Sequence, residues 1–66
     1  MSVAKTIEIS AESPVSFEAA VQEGVTKASE TIKNIRSVWV KDQSASVENG
    51  KITGYRVNLK LTFELS

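Results

Sequence analysis

The chain has 66 residues, with eight Lys and Arg against eight Asp and Glu, and it contains neither cysteine nor histidine. The neutral balance gives no electrostatic reason to expect nucleic acid or an anionic membrane as a partner. Without cysteine and histidine, the chain lacks disulfide and thiolate chemistry, the usual zinc and copper ligands and the commonest general base.

The short length predicts a single domain, residues 1–66, that associates with copies of itself. A domain of this size hides only about 60% of the surface that its unfolded chain exposes, and oligomerisation is the remedy left when metals and disulfides are not signalled. The stretch MSVAKTIEIS has no apolar run of signal-peptide length, and no segment approaches the roughly 20 apolar residues of a membrane span. We therefore expect a cytoplasmic protein with no membrane partner.

The first two predicted elements differ in the period of their apolar residues. Residues 3–10 alternate with period two and predict a β-strand. Residues 11–35 change to spacings of three and four, which predict a helix with one apolar stripe that packs into an ordinary core. Ser13 and Pro14 predict its start, because serine caps free N–H groups and proline at the first helical position loses no needed hydrogen bond. The stripe consists of Phe17, Val21, Val25, Ala28, Ile32 and Ile35.

Two further strands form a predicted hairpin. Residues 36–48 and 51–65 alternate with period two and flank Asn49-Gly50, a strong hairpin signal because both residues tolerate positive φ. The order is therefore β-α-β-β, an α+β fold in which a three-stranded antiparallel sheet packs on one helix. The side chains expected under the helix are Ile7, Ile9, Val38, Val40, Tyr55, Val57, Leu59, Leu61, Phe63 and Leu65.

Trp39, the single tryptophan of the sequence, is predicted to lie on the sheet face away from the helix. With the turn at its centre, the hairpin places Trp39 opposite Lys60 and Gln43 opposite Arg56, unless a bulge near Gly54 shifts the register. Paired residues share a face, so the indole is expected among polar neighbours. These are Ser37, Lys41, Gln43, Arg56, Asn58, Lys60 and Thr62.

Three interpretations of the exposed Trp39 compete. The ring rests on lysine and arginine stems, or it forms a subunit interface, or it is a stacking platform for a planar ligand. The last two are compatible, since a ligand can sit where two copies meet. Lys41, Arg56 and Lys60 on the same face fit a phosphate tail, such as that of FMN or coenzyme A, or ion pairs between subunits with Asp42 or Glu64.

The acidic residues and serines predict little further chemistry. Carboxylates can bind a hard cation in an assembled shell, but their spacing resembles no calcium loop, and solvated surface is the simpler interpretation. No metal-binding residue is therefore expected. No catalytic residue is expected either, because the chain has no histidine to activate Ser37. The carboxylates in question are Glu8, Glu12, Asp42, Glu48 and Glu64.

At this size and element order, three stretches resemble the dodecin family over nearly the whole chain. They are the helical stretch SAESPVSFEAAVQEGVTKASETIKNI, the Trp-bearing strand with VKDQ, and the closing strand GKITGYRVNLKLTFEL. The resemblance implies a homo-dodecamer: a hollow shell with 23 symmetry, helices outside and sheets inside. It also implies that flavins bind in pairs at the two-fold interfaces between tryptophans, for storage or sequestration and without turnover.

Alignment with the family pattern makes this chain an atypical member. The family tryptophan of a W-x-E segment falls on Ser37, its glutamate on Trp39, and a ring-binding glutamine on Arg56, while Asp42 matches a common family acid. The tryptophan is thus displaced by two positions, about 6.6 Å along the same strand face.

Together with the indole, the resemblance implies flavin, either FMN or riboflavin, as the cofactor. The cofactor-binding residues expected are Trp39, Arg56, Ser37, Gln43 and Asp42. The alternative is a dodecin-like shell without flavin that binds ions or another small molecule, or that is purely structural. An enzyme is not expected.

Overall fold

The structure, a computed structural model, describes residues 3–65, so both ends of the predicted domain 1–66 lie outside it. The elements are β1 (Ala4–Ser13), α1 (Phe17–Ser29), β2 (Ile35–Glu48) and β3 (Lys51–Glu64). The sheet has the order β1-β3-β2, and β3 pairs antiparallel with both neighbours. The predicted β-α-β-β order and the three-stranded antiparallel sheet packed on a helix are confirmed.

The helix begins later than predicted. Ser13, the expected cap, is the last residue of β1, and its Oγ accepts a hydrogen bond from the N–H of Val15 at 3.0 Å. The cap is Ser16, whose Oγ accepts from the N–H of Ala19 at 3.0 Å. Either serine has the right chemistry for a cap. Ser16 takes the role because β1 continues its ladder with β3 through its last residue.

The helix also ends earlier than its apolar stripe. Glu30 caps α1, so Ile32 and Ile35 lie beyond the helix. Asn34 has a φ of 64°, a left-handed conformation that asparagine tolerates well, and it turns the chain into β2 at the next residue. Ile35 still packs against the core, but as the first residue of a strand.

The core lies between α1 and one face of the sheet, which we call the helix face. Ala20 of the helix and Val57, Leu59 and Leu61 of β3 have no solvent exposure. Partly buried side chains surround them: Ile7, Ile9, Ala11, Phe17, Val21, Val25, Ala28 and Ile35. The predicted apolar face of the closing strand is therefore confirmed at its centre.

The helix covers only part of this face. Its 13 residues span about 20 Å, whereas the molecule is 51 Å long. Val38 and Val40 of β2, which were expected under the helix, each remain 37% exposed, and Leu65 is also exposed. The core therefore ends well short of the hairpin tip. No helix among the described residues is long and apolar enough to cross a membrane.

The hairpin turn forms at the predicted position, and a bulge follows it. Asn49 and Gly50 have φ angles of 50° and 78°. Val47 then pairs with Ile52, but the next pair on the ladder joins Ser46 to Gly54, so β3 carries one extra residue, Thr53. This is the bulge that Gly54 signalled.

A second bulge lies on the opposite strand. Val40 pairs with Leu59, and the next pair joins Asp42 to Asn58, which leaves Lys41 as an extra residue of β2. The second shift cancels the first, so the predicted pairing of Trp39 with Lys60 is confirmed.

Between the two bulges the register differs by one from the predicted one. Gln43 is opposite Val57, a core residue, and Arg56 is opposite Ser44 instead. Directly opposed residues share a face of the sheet. Gln43 therefore lies on the helix face, and its predicted place beside Trp39 is wrong.

Candidate ligand site on the open face of the sheet

The sheet face turned away from α1, which we call the open face, consists of four rows across β1, β3 and β2. Each row takes one residue from each strand, because β3 pairs with both neighbours. In order toward the hairpin tip, the rows are Thr6-Thr62-Ser37, Glu8-Lys60-Trp39, Ser10-Asn58-Asp42 and Glu12-Arg56-Ser44.

Trp39 is the largest apolar side chain of the open face, and it is 61% exposed. The ammonium of Lys60, its direct partner on β3, lies 5.3 Å from the ring centroid. A cation–π contact at an exposed site contributes about 0.5–1 kcal/mol, which does not replace the burial of an indole. The ring remains available for a further apolar contact.

Two ion pairs bridge β1 to the other strands on this face. Lys41 Nζ lies 2.8 Å from Glu8 Oε1, and Arg56 Nη2 lies 3.0 Å from Glu12 Oε1. Within the same chain, Glu64 pairs with Arg36 at 2.8 Å. Lys41 and Arg56 thus have carboxylate partners within one chain. These pairs are exposed, so they direct side-chain positions more than they stabilise the fold.

The Lys41 bridge changes the acidity of both its partners. The hydrogen bond and charge of Lys41 hold the pKa of Glu8 below its ordinary value of 4.5, against a small opposing effect of desolvation. The same contacts, with Glu8 as the partner, raise the pKa of Lys41 above 10.5. Both groups are therefore charged at neutral pH.

A hydrogen-bonded chain of polar side chains lies one row closer to the hairpin tip. Ser10 Oγ donates to Asn58 Oδ1 at 2.6 Å, and Asn58 Nδ2 donates to Asp42 Oδ1 at 2.6 Å. With Glu8 and Lys41, these residues line a shallow hollow of about 250 Å³. The hollow offers fixed donors and acceptors beside the exposed indole.

The structure brings four of the five predicted site residues onto one face. Trp39, Ser37, Asp42 and Arg56 all belong to the open face, whereas Gln43 does not. The row of Arg56 lies two rows from that of Trp39, which corresponds to about 13 Å along the strand. A ring stacked on Trp39 is therefore remote from Arg56 of the same chain.

Sequence reasoning missed the contribution of β1. Glu8, Ser10 and Glu12 supply one residue to each of three rows, and each contacts a polar residue of β2 or β3. Their alternation with Ile7 and Ile9 was a sufficient signal for the face. The row assignment needed the β1–β3 register, which depends on the chain ends and not on a local turn.

Metal ligands do not converge in the described part of the chain. Within residues 3–65, no group of three or more acidic side chains comes together as a metal site would require. A larger hollow, of about 550 Å³, lies between α1 and β1 and is lined by apolar side chains such as Ile9, Ala11 and Ile32 and by polar residues of both elements. Ser10 and Glu12 reach it at the edge of β1, but Trp39 does not line it.

Comparison with known proteins identifies the family. The dodecin family model matches residues 3–66. This chain belongs to the dodecin family. The resemblance seen in the sequence is thereby confirmed.

Among relatives, this dodecin is 41% identical over 66 residues to the calcium dodecin of Mycobacterium tuberculosis, covering 98% of this chain and 92% of the relative. The structure of dodecin from Streptomyces coelicolor matches with a TM-score of 0.92 and 29% identity, over 98% of this chain and 93% of that one. A crystal structure of calcium dodecin from M. tuberculosis, described as calcium-chelating with a novel calcium-binding site, matches with a TM-score of 0.83 and 38% identity, again over 98% and 93%.

Proposed function

We propose that this dodecin is a binding and storage protein whose homo-dodecamer holds a flat ligand, flavin in the first instance, against Trp39 where copies meet. The observation that carries the proposal is the exposed indole in the middle of the open face. Burying such a side chain contributes roughly 2–3 kcal/mol per chain to the free energy of association or ligand binding. The helix lies on the other face, so a second copy or a ligand must supply the cover.

Symmetry supports a ligand between copies. In the proposed dodecamer, a two-fold axis near Trp39 would set two identical open faces against each other, so that two indoles would bracket a shared space. A planar ring stacks between aromatic side chains with favourable offset geometry. In this arrangement the ring stacks on Trp39, while Arg56 donates hydrogen bonds from the partner copy, because it is about 13 Å from the indole in its own chain.

Binding without turnover fits the chemistry of the open face. Its two carboxylate–cation pairs are exposed and mutually neutralising. Asp42 is engaged by the Asn58 amide. Such groups orient a ligand, but they do not form a nucleophile with an adjacent base.

Fluorescence titration tests the flavin proposal. Riboflavin and FMN should each lose fluorescence on mixing with the assembled protein at micromolar concentration, because a flavin stacked on an indole is quenched. Trp39→Ala should abolish the effect. Val15→Ala, which removes an exposed apolar side chain ahead of α1, is the matched control and should leave it unchanged. An intact shell that quenches neither flavin contradicts the proposal.

A designed variant tests the displaced tryptophan. Ser37→Trp combined with Trp39→Glu restores the W-x-E order of the family pattern. If the displacement limits flavin binding, this double variant should bind riboflavin about tenfold more tightly, the gain expected from one well-placed aromatic pair. Weaker binding than the parent would show that Trp39 is already the better platform.

Cation binding is the second candidate, and the 41% identity to a calcium dodecin favours it. The open face carries Glu8, Glu12 and Asp42, which supply the oxygen ligands that calcium prefers. Because they do not converge within the described residues, a site would combine carboxylates from several copies. Calcium should then raise the thermal midpoint of the assembly, and Asp42→Asn should remove the shift while Glu48→Gln should not.

Sedimentation tests the assembly shared by both candidates. The protein at micromolar concentration should sediment as a particle of twelve chains. A stable monomer would contradict both candidates, since each needs contributions from more than one copy.

A further inference from the structure

We infer that the ligand of the open face is an aromatic anion: its flat ring stacks on Trp39, and a carboxylate, sulfonate or phosphate attached close to the ring binds Lys60. This inference rests on the proposed function and narrows the class of ligand. It concerns the charge of the ligand. Riboflavin carries no such group and FMN carries its phosphate on a side chain, so the inference favours an aromatic acid over both.

The distribution of ion pairs carries the first step. Of the cations in and beside the rows from Glu8 to Glu12, Lys41 and Arg56 each lie within 3.0 Å of a carboxylate oxygen on β1. Within residues 3–65, Lys60 forms no salt bridge. Glu8 is directly opposite Lys60 in the ladder, but its Oε1 is held by Lys41. Lys60 therefore forms no salt bridge of its own, although Glu8 is its neighbour, and its ammonium contacts the indole instead.

The second step concerns where an anion would lie. The row on one side of Lys60 carries three hydroxyl side chains, Thr6, Thr62 and Ser37, and no charge. The row on the other side carries Asp42, which repels an anion. Hydroxyl groups rotate to donate to an oxyanion. An acidic group is therefore best placed over Lys60 and the hydroxyl row.

The third step concerns the cost of moving the ammonium. The cation–π contact at 5.3 Å is a weak, exposed one, whereas a hydrogen bond from an ammonium to a carboxylate is among the stronger polar contacts. Lys60 therefore loses little interaction energy when its ammonium moves from the Trp39 ring to an anion on the ligand. Its long stem places it beside any ring that stacks on Trp39, because the two residues are direct partners.

A matched pair of small ligands tests the inference on the full-length assembled protein. Naphthalene-2-carboxylate and naphthalene-2-carboxamide share a ring and differ in charge. Calorimetric titration at neutral pH and low salt should give a dissociation constant about fivefold or more lower for the carboxylate, the upper range of a partly exposed ion pair. Lys60→Met should remove the difference in affinity between the two ligands, whereas Lys60→Arg should keep the preference for the carboxylate.

A measurement on the unaltered protein distinguishes ligand binding by Lys60 from a structural role of Lys60 in assembly. Raising the salt concentration to about 0.5 M should weaken carboxylate binding and leave carboxamide binding unchanged, because salt screens the ion pair and not the stacking. Equal affinity of the two ligands, or a preference that Lys60→Met or salt does not reduce, overturns the inference while flavin binding still stands. If neither ring binds and no flavin is quenched, the proposed function fails as well.

Discussion

The helix face and the open face are built from alternate residues of the same three strands, yet different contacts satisfy them. On the helix face, Val57, Leu59 and Leu61 are fully buried by the chain's own helix. On the open face, ion pairs and amide hydrogen bonds join the strands, and Trp39 remains mostly exposed. The contrast teaches that the first face determines the fold of one chain, whereas the second determines what the chain can associate with or bind.

Variants of two adjacent residues of β3 test this contrast, and one of them should show the largest change in the free energy of unfolding. Leu59→Ala removes a fully buried side chain and should lower the free energy of unfolding by about 2–5 kcal/mol. Lys60→Ala, one residue further on and on the opposite face, should cost about 1 kcal/mol or less. Urea unfolding at one fixed protein concentration measures both, since association contributes to stability. A larger loss for Lys60→Ala would show that the open face stabilises the chain more than the core does.

A moderate effect is expected where α1 approaches the sheet. A Cβ added at Gly24 would lie 3.0 Å from Leu59 Cδ1 and 3.2 Å from Ala11 Cβ. Gly24→Ala gains up to about 1 kcal/mol in helix propensity but loses about 1–3 kcal/mol to crowding, so a net loss of about 1 kcal/mol is expected. Glu23→Ala, at an exposed position, is the control and should be near neutral. A stabilised Gly24→Ala protein would mean that the helix face is more loosely packed than described.

The hairpin turn sets the register that separates the two faces, and its variants should have a smaller effect. Gly50→Ala places a Cβ on a residue with a φ of 78° and should cost about 1 kcal/mol. Gly50→Asn should cost less, because asparagine tolerates this conformation. Thermal unfolding of the two variants compares them directly. Equal losses would indicate that the turn contributes through its flexibility and not through its φ angle.

The smallest effect concerns the pKa of Glu8 on the open face. The Lys41 contact lowers it, so the carboxylate stabilises the fold at neutral pH, and this contribution disappears as the pH falls from 4.5 through the lower folded pKa. The pKa of Lys41 is raised, so its ammonium stabilises the fold up to pH 10.5. This stabilisation is lost as the pH rises through the higher folded pKa. Carboxyl NMR titration should place the Glu8 midpoint below 4.5 and raise it in Lys41→Met, because the largest cause of the lowered pKa is removed. An unchanged midpoint in that variant would show that the bridge is absent in solution.

Local signals in the sequence were sufficient for most of the fold. Period two, the 3.6-residue stripe and Asn49-Gly50 predicted the elements, the turn and the buried centre of β3. The choice of Ser16 over Ser13 as the cap could not be predicted, because it depends on how far β1 continues its pairing with β3.

Less of the candidate site could be predicted from the sequence. The face of Trp39 was correct because two bulges cancel before that residue. The face of Gln43 was wrong because the bulge at Thr53 shifts its pairing from Arg56 to Val57, and the bulge at Lys41 restores the register only beyond Gln43. The ion pairs to Glu8 and Glu12 required the register between strands at opposite ends of the chain. Under the proposed function, the identity of the ligand depends on surfaces that several copies create together, which one sequence does not reveal.

The paired bulges have a consequence for changes in chain length. Thr53 and Lys41 are bulge residues without a direct partner in the β2–β3 ladder, as Arg36 is at the start of β2. Deleting either would straighten its strand and leave every other pair in place, whereas a deletion elsewhere between them would move side chains to the opposite side of the sheet. Thr53 and Lys41 are thus positions at which the hairpin tolerates loss of a residue, and of these two only Lys41 would lose an ion pair when deleted.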